Sequence, residues 1–285
     1  MKKVSIVIPC YNAAAFIEET LLSILDQSEI IEIIIVDDGS NDNTKEILSK
    51  LNYPLISYIF QNNSGVSSAR NKGLEHSNGE YVIFFDADDK MSAGFLSERV
   101  KELDVNDQVD FVCGEVQKFN NNELIPGYFR GSYGDIIKEI LFFDPLVTTC
   151  PSNYLFRRSF LLKHNIRFNT MLASTADKLF LVNCAIHGRS NLAVGKGKLL
   201  YRVSDNSMSH LFTSILVEDN AIYYRLLFNS DLIPKKIMSE SKFLGNMMLS
   251  GAFWKIGQRS RAISYAVKAF FNSPFLFIKK IVHSK

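Results

Sequence analysis

The chain reads as an α/β protein built on a mostly parallel sheet flanked by helices, with a helical C-terminal extension. Three observations predict this. Short apolar, β-branched runs at residues 4–8, 30–36, 55–60 and 81–85 alternate with amphipathic or cap-rich segments, the order that folds as βαβ units. Two of the runs end abruptly in carboxylates, Asp37-Asp38 and Asp86-Ala87-Asp88-Asp89, at the strand ends where open α/β sheets place ligands. At 285 residues and 47% hydrophobic composition the chain can bury a sizeable core.

Taken in order, residues 4–8 form the first strand, and Asn12 is placed to cap a helix to about residue 26 with Phe16, Ile17, Leu21, Ile24 and Leu25 as its apolar stripe. Residues 30–36 are the second strand, and a turn at 41–44 opens a helix through Leu51. A third strand at 55–60 is followed by a polar loop, 61–65, and a helix holding Arg70, Asn71 and Gly73. The fourth strand, 81–85, is the pivotal one. An extended chain beyond it puts Asp86 and Asp88 on one side, with Ala87 and Asp89 on the other. Two carboxylates so close repel by roughly 1 to 4 kcal/mol at about 4 Å, so a cation is expected between them. A hard divalent ion, Mg²⁺ or Mn²⁺, holding phosphate oxygens is one reading. The other is a solvated turn with Asp89 capping the helix that begins near Ser92. Right-handed βαβ connections bring Asp38, Asp86 and Asp88 to one sheet edge, which describes a pocket.

After a helix from 93 to about 104, residues 111–119 read as a strand and 120–134 as a polar, aromatic, glycine-rich loop suited to a second substrate. Residues 152–157 read as a strand and 158–164 as a short helix. Asp177 opens a helix to about residue 187, where the helix dipole by itself favours an acid. Residues 192–203 give a closing strand or hairpin. From about residue 211 the pattern is helical, broken at Pro234 and Pro274, with an amphipathic stretch at 262–271. Three segments result: 1–110, 111–210 and 211–285.

Cys10, Cys113, Cys150 and Cys184 are far apart and form no Cys-x-x-Cys pair, which points to buried thiols in a reducing cytosol. The opening Met-Lys-Lys imitates a signal peptide, but Pro9, Cys10 and Asn12 interrupt it too early. Residues 241–285 hold eight Lys or Arg and no acid, leaving 24 basic against 30 acidic residues elsewhere. That asymmetry points to anionic lipid ahead of nucleic acid. An interfacial helix would bury Phe270, Phe271, Phe275, Phe277 and Ile278 among lysines, whereas a solvated appendage would pack them inward. The apolar patch at 269–278 is too short to span a membrane.

Together, Val4-Ser-Ile-Val-Ile-Pro-Cys-Tyr-Asn12, Val36-Asp-Asp-Gly-Ser40, the segment from Gly65 through Ala69-Arg-Asn-Lys-Gly73, and Phe85-Asp-Ala-Asp-Asp89 resemble family 2 glycosyltransferases of the GT-A fold, in the order and spacing of small bacterial members acting on cell-surface polysaccharides. The resemblance covers roughly residues 1–110 and thins to 210. It implies that Pro9, Tyr11 and Asp38 hold the nucleotide base, that Arg70 sits near the nucleotide, and that Asp86 and Asp88 form the metal motif with Asp88 on the ion. It implies Asp177 as the general base that activates an acceptor hydroxyl for in-line attack with inversion. The donor would be a nucleotide sugar, in the first instance a UDP-sugar. The acceptor would be a glycan or undecaprenyl-linked hydroxyl, and the place of work the cytoplasm or the inner face of its membrane. Two positions depart from the family pattern: Ala176 stands where many relatives have Glu, and Ser204 where many have His. His210 could supply that imidazole to metal or phosphate. A haloacid-dehalogenase-type phosphatase also places Asp-x-Asp at a strand end, but near its N-terminus and without Lys90 two residues on. A non-catalytic nucleotide-sugar-binding scaffold of the same fold is the alternative the two departures leave.

Overall fold

The computed structural model describes residues 3–51, 53–120, 123–142, 144–203 and 213–282. The chain divides into two compact units, Met1–Asp205 and Asn206–Lys285. The strands are β1 Val4–Cys10, β2 Ile30–Asp37, β3 Ile56–Phe60, β4 Tyr81–Phe84, β5 Lys90–Met91, β6 Phe111–Cys113, β7 Val116–Asn120, β8 Glu123–Phe129, β9 Leu155–Arg157, β10 Ser190–Leu192 and β11 Leu199–Arg202.

In the first unit a seven-stranded sheet runs in the order β10-β6-β9-β4-β1-β2-β3. Only β9 runs antiparallel to its neighbours there. Every residue of β1 and β4 is buried, so both sheet faces are covered and the strands read as continuous apolar runs. The helix Val66–His76 packs on β1 through Gly73, where a Cβ would lie 2.1 Å from Val7 Cγ1. No residue larger than glycine allows that approach. Because β1, β2 and β4 are parallel and Cys10 pairs with Asp37, their C-terminal ends open on one edge.

A second, four-stranded sheet has the order β5-β11-β7-β8. It corrects three expectations. Residues 111–119 are not one strand: β6 belongs to the first sheet and β7 to the second, because the chain crosses between sheets at Gly114-Glu115. Residues 123–129 are a strand paired with β7 rather than loop. Residues 192–203 likewise separate into the end of β10, in the first sheet, and β11, in the second.

The expected cap at Asn12 is also corrected. Asn12 has φ +50° and the helix starts later, at Ile17. The Asn12 side chain instead accepts from Asn41 N at 2.9 Å, while Asn12 N, Ala13 N and Ala14 N donate to Ser40 Oγ, Thr44 Oγ1 and Asp42 Oδ2. The loops after β1 and β2 are thereby fastened to each other.

The second unit consists of the helices Ser214–Phe228, Lys235–Lys255, Arg259–Asn272 and Pro274–Val282. Thr213 caps the first through its Oγ1, which accepts from Leu216 N. Pro234 and Pro274 stand at the helix starts, where a missing N–H costs least. Tyr223, Leu227, Phe243, Leu249, Phe253, Ala262 and Ala269 are buried. Among the described residues no helix is long and apolar enough to cross a membrane.

Candidate active site

Two neighbouring residues of the helix Val66–His76 organise the edge. Arg70, 2% exposed, donates from Nη1 to Asp177 Oδ1 at 2.5 Å and from Nη2 to Asp86 Oδ1 at 2.7 Å. Its guanidinium lies 5.0 Å from the centroid of the Phe168 ring. Asn71 then grips the main chain of Phe168 in both directions: Nδ2 donates to Phe168 O at 2.8 Å and Oδ1 accepts from Phe168 N at 2.9 Å. One helical turn therefore fixes the carboxylate at the end of β4 and the segment leading to Asp177, which sits in the first turn of the helix Ala176–His187.

Beyond β4 the chain turns at Ala87-Asp88 rather than staying extended, so the two-sided arrangement of the acids is corrected. Thr20 Oγ1 donates to the carbonyls of Ala87 and Asp89, both at 2.9 Å, and Arg202 Nε donates to the carbonyl of Asp88 at 2.7 Å. Asp89 points inward, 1% exposed, and its Oδ1 accepts from Arg202 N at 3.0 Å. It ties the acidic turn to β11 and does not cap the following helix, which starts at Phe95 behind Gly94. Glu19 bridges Lys90 and Arg202 at 2.5 and 2.6 Å. Asp86 N donates to Ser152 Oγ at 3.0 Å, and Cys150 Sγ stands 3.9 Å from Asp86 Oδ2. The turn carrying Ser152 is held by buried Arg99, which donates to the carbonyl and the side-chain oxygen of Asn153.

The acidic turn is short of positive charge. Burial pushes the Asp88 carboxyl up to about 6, with Asp86 adding to it. Burial also raises Asp89, with Asp86 and Asp88 contributing. The buried Asp89 Oδ2 meets no hydrogen-bond partner among the described residues. Such a set, with one guanidinium shared between Asp86 and Asp177 and an orphaned oxygen on Asp89, fits a hard divalent ion. Asp86, Asp89 and Cys150 offer ligand atoms within 4.8 Å of one another, but burial raises the Cys150 thiol and a protonated sulfur is a poor ligand for such an ion. At the other end, burial raises the Asp177 carboxyl while Arg70 works against it. Burial alone would weaken the Arg70 charge, yet Asp177 and Asp86 outweigh it and hold the guanidinium above its ordinary pKa.

The remaining candidates lie along the same edge. Pro9 is buried in β1 beside Val36, and Tyr11 is 51% exposed. Asp38 is buried, and its carboxylate accepts from Gln61 Nε2, Ser64 N and Gly65 N at 2.7 to 2.8 Å. A carboxylate has about four acceptor positions, so one is left over for a ligand donor. Asp37 instead accepts from Ser40 N and Tyr58 Oη. His210 lies outside the described residues. Sequence reasoning missed the roles of Glu19, Thr20, Asn71, Cys150, Ser152 and Arg202. Asn71 and Arg202 do fall inside segments compared with the family pattern, but nothing local names their partners.

Sheet order, helix order and this acidic edge define a GT-A domain. The model of glycosyl transferase family 2 matches residues 5–164, more than half of the chain, and the chain belongs to that family. The poly(ribitol-phosphate) beta-glucosyltransferase of Bacillus spizizenii is 30% identical over 194 residues, which is 66% of this chain and 30% of that protein. S. aureus TarS 1-349 in complex with UDP-GlcNAc superposes with a TM-score of 0.67 at 22% identity, covering 89% of this chain and 73% of that one. The mannosyltransferase PcManGT from Pyrobaculum calidifontis, in complex with GDP-Man and Mn²⁺, gives 0.64 at 17%, covering 99% and 79%. At these identities the two superpositions speak to the fold. The chain spans less than two thirds of the length of the first curated relatives it matches.

Proposed function

We propose that the protein is an inverting, metal-dependent glycosyltransferase that moves a sugar from a nucleotide sugar, in the first instance a UDP-sugar, to a hydroxyl of a glycan or lipid-linked acceptor in cell-surface polymer synthesis. The observation that carries this reading is the Arg70 bridge, which brings the acid at the end of β4 and Asp177 to one guanidinium. Relatives named for glycosyl transfer to poly(ribitol-phosphate), and the UDP-GlcNAc bound by TarS, support the donor and the polymer class.

Asp86 and Asp88 would hold a divalent ion, Mn²⁺ or Mg²⁺, which supplies charge neutralisation for a departing diphosphate. Asp38, Pro9 and Tyr11 would receive the base. Asp177 would accept the proton of the acceptor hydroxyl as its oxygen bonds to the anomeric carbon and the bond to the diphosphate breaks. A buried carboxylate is a base only if it stays ionised, and Arg70 opposes the upward push of burial on Asp177. We assign the work to the cytoplasmic side of the membrane, with exposed Phe271, Phe275 and Ile278 facing the inner leaflet.

The test is thermal unfolding of wild type and Asp88→Ala with UDP, with and without Mn²⁺. Ligand at a hundred times Kd stabilises by about 2.7 kcal/mol, or roughly 4 to 5 °C for a chain this size. A shift that needs both Mn²⁺ and Asp88, followed by sugar transfer lost in Asp177→Asn, is expected. UDP binding without any transfer or donor hydrolysis would favour the non-catalytic scaffold.

A further inference from the structure

We propose that the C-terminal helical unit carries an anion site of its own, a cleft that takes a phosphorylated polyol, meaning hydroxyl-bearing carbons joined through phosphodiesters. This rests on the transferase reading above and deepens it by assigning a hold on the acceptor chain. The cleft lies among the helices Ser214–Phe228, Lys235–Lys255 and Arg259–Asn272 and measures about 390 Å³, within the roughly 300–1,000 Å³ of small-molecule sites.

Its lining contains a carboxamide. Asn246 is only 4% exposed and lines the cleft, and its carboxamide makes no hydrogen bond among the described residues. Its neighbour Gly245 packs so tightly that a Cβ there would lie 2.5 Å from the Tyr224 ring, so this stretch of helix has no room to shift.

The charge over the cleft is positive. Glu218 is its only acid and is taken by Arg261, whose Nη2 donates to Oε2 at 2.9 Å. Arg225 and Lys268 line the same cleft and meet no carboxylate among the described residues. The wider segment agrees, with eleven Lys or Arg against four Asp or Glu from residue 206 to 285. Two uncompensated cations suit a phosphoryl group, and a carboxamide that both donates and accepts suits a hydroxyl. A nucleobase is disfavoured because the Tyr265 ring is already stacked on Phe253, at 5.4 Å, and approached by Lys268 Nζ at 4.7 Å.

The experiment titrates the full chain with glycerophosphoglycerol, with inorganic phosphate, with glycerol and with phosphatidylglycerol vesicles. Wild type is compared with the Arg225→Ala/Lys268→Ala double variant and with Asn246→Leu. UDP and Mn²⁺ binding is measured on the same samples. Glycerophosphoglycerol should bind, weaken at least tenfold in the double variant, and weaken more than inorganic phosphate does in Asn246→Leu, with UDP binding unchanged throughout. Equal binding by all three proteins, no binding at millimolar concentration, or binding confined to vesicles would each overturn the proposal. Absence of phosphodiester binding in wild type with UDP binding intact fails this inference alone. Failure of UDP binding in wild type fails the donor reading instead.

Discussion

Replacing Arg70 by methionine removes the single charge shared by two carboxylates. The Arg70 side chain is 3% exposed, and its partners Asp86 and Asp177 are 27% and 30% exposed. Breaking a buried ion pair costs about 3 to 5 kcal/mol because the remaining charge is orphaned. Water reaching a quarter or more of each carboxylate repays part of that, so about 3 kcal/mol is expected, or roughly 5 °C in Tm. Asp177→Asn leaves Arg70 paired with Asp86 and should cost about 1 to 2 kcal/mol, the difference between a charged and a neutral hydrogen bond. Once Arg70 is absent, Asp177→Asn relieves an orphaned carboxylate, so the double variant should be more stable than the two losses predict by at least about 1 kcal/mol. The assay is denaturant unfolding of all four proteins in EDTA at pH 7.5. Additivity within about 0.5 kcal/mol would mean that the bridge is not formed in solution, and the argument that one guanidinium unites the two acids would be wrong.

Two further outcomes follow from the same geometry. Asn71→Ala removes both hydrogen bonds to the Phe168 main chain and should cost about 1 to 3 kcal/mol; calorimetry should show that loss, while kcat falls and UDP affinity, read by titration, stays near wild type. Lys178 is pushed down to about 7 by burial, so between about pH 7 and its unfolded value near 10.5 the native state binds fewer protons and stability rises with pH through that window. Lys178→Met should therefore stabilise the protein at pH 6.5 and confer little at pH 10; equal Tm shifts at both values would show that the ammonium is not penalised.

The strands β1, β2 and β4 were legible because their apolar runs are buried almost throughout, and β3 as a short apolar run although it is a half-exposed edge strand; the acids lie on one edge because parallel strands end together. Residues 111–134 and 190–203 were not. Their strands are three to seven residues long and alternate between two sheets, and the choice of sheet depends on partners distant in sequence, as where Leu199 pairs with Met91. The helix start near Asn12 was misplaced because the side chain that suits a cap is spent on Asn41. Arg70 and Asp177 stood out as residue types, but their pairing spans 107 positions, and no local pattern announces it. Cys150 carried no signal at all until the turn Pro151–Asn153 placed it beside Asp86.

The second sheet is joined to the acidic turn through few groups: the Asp89 carboxylate on Arg202 N, the Arg202 side chain on Glu19 and the Asp88 carbonyl, and the β5 to β11 pairing. A chimera that takes β7, β8 and their connections from another family member therefore needs to keep the Glu19, Asp89 and Arg202 set, the Phe119 ring on which Arg202 and Lys90 rest, and the core contacts of Val116 and Leu199. Exchange of the second sheet is thus a matter of matching one seam of charged, aromatic and core side chains rather than the whole first sheet.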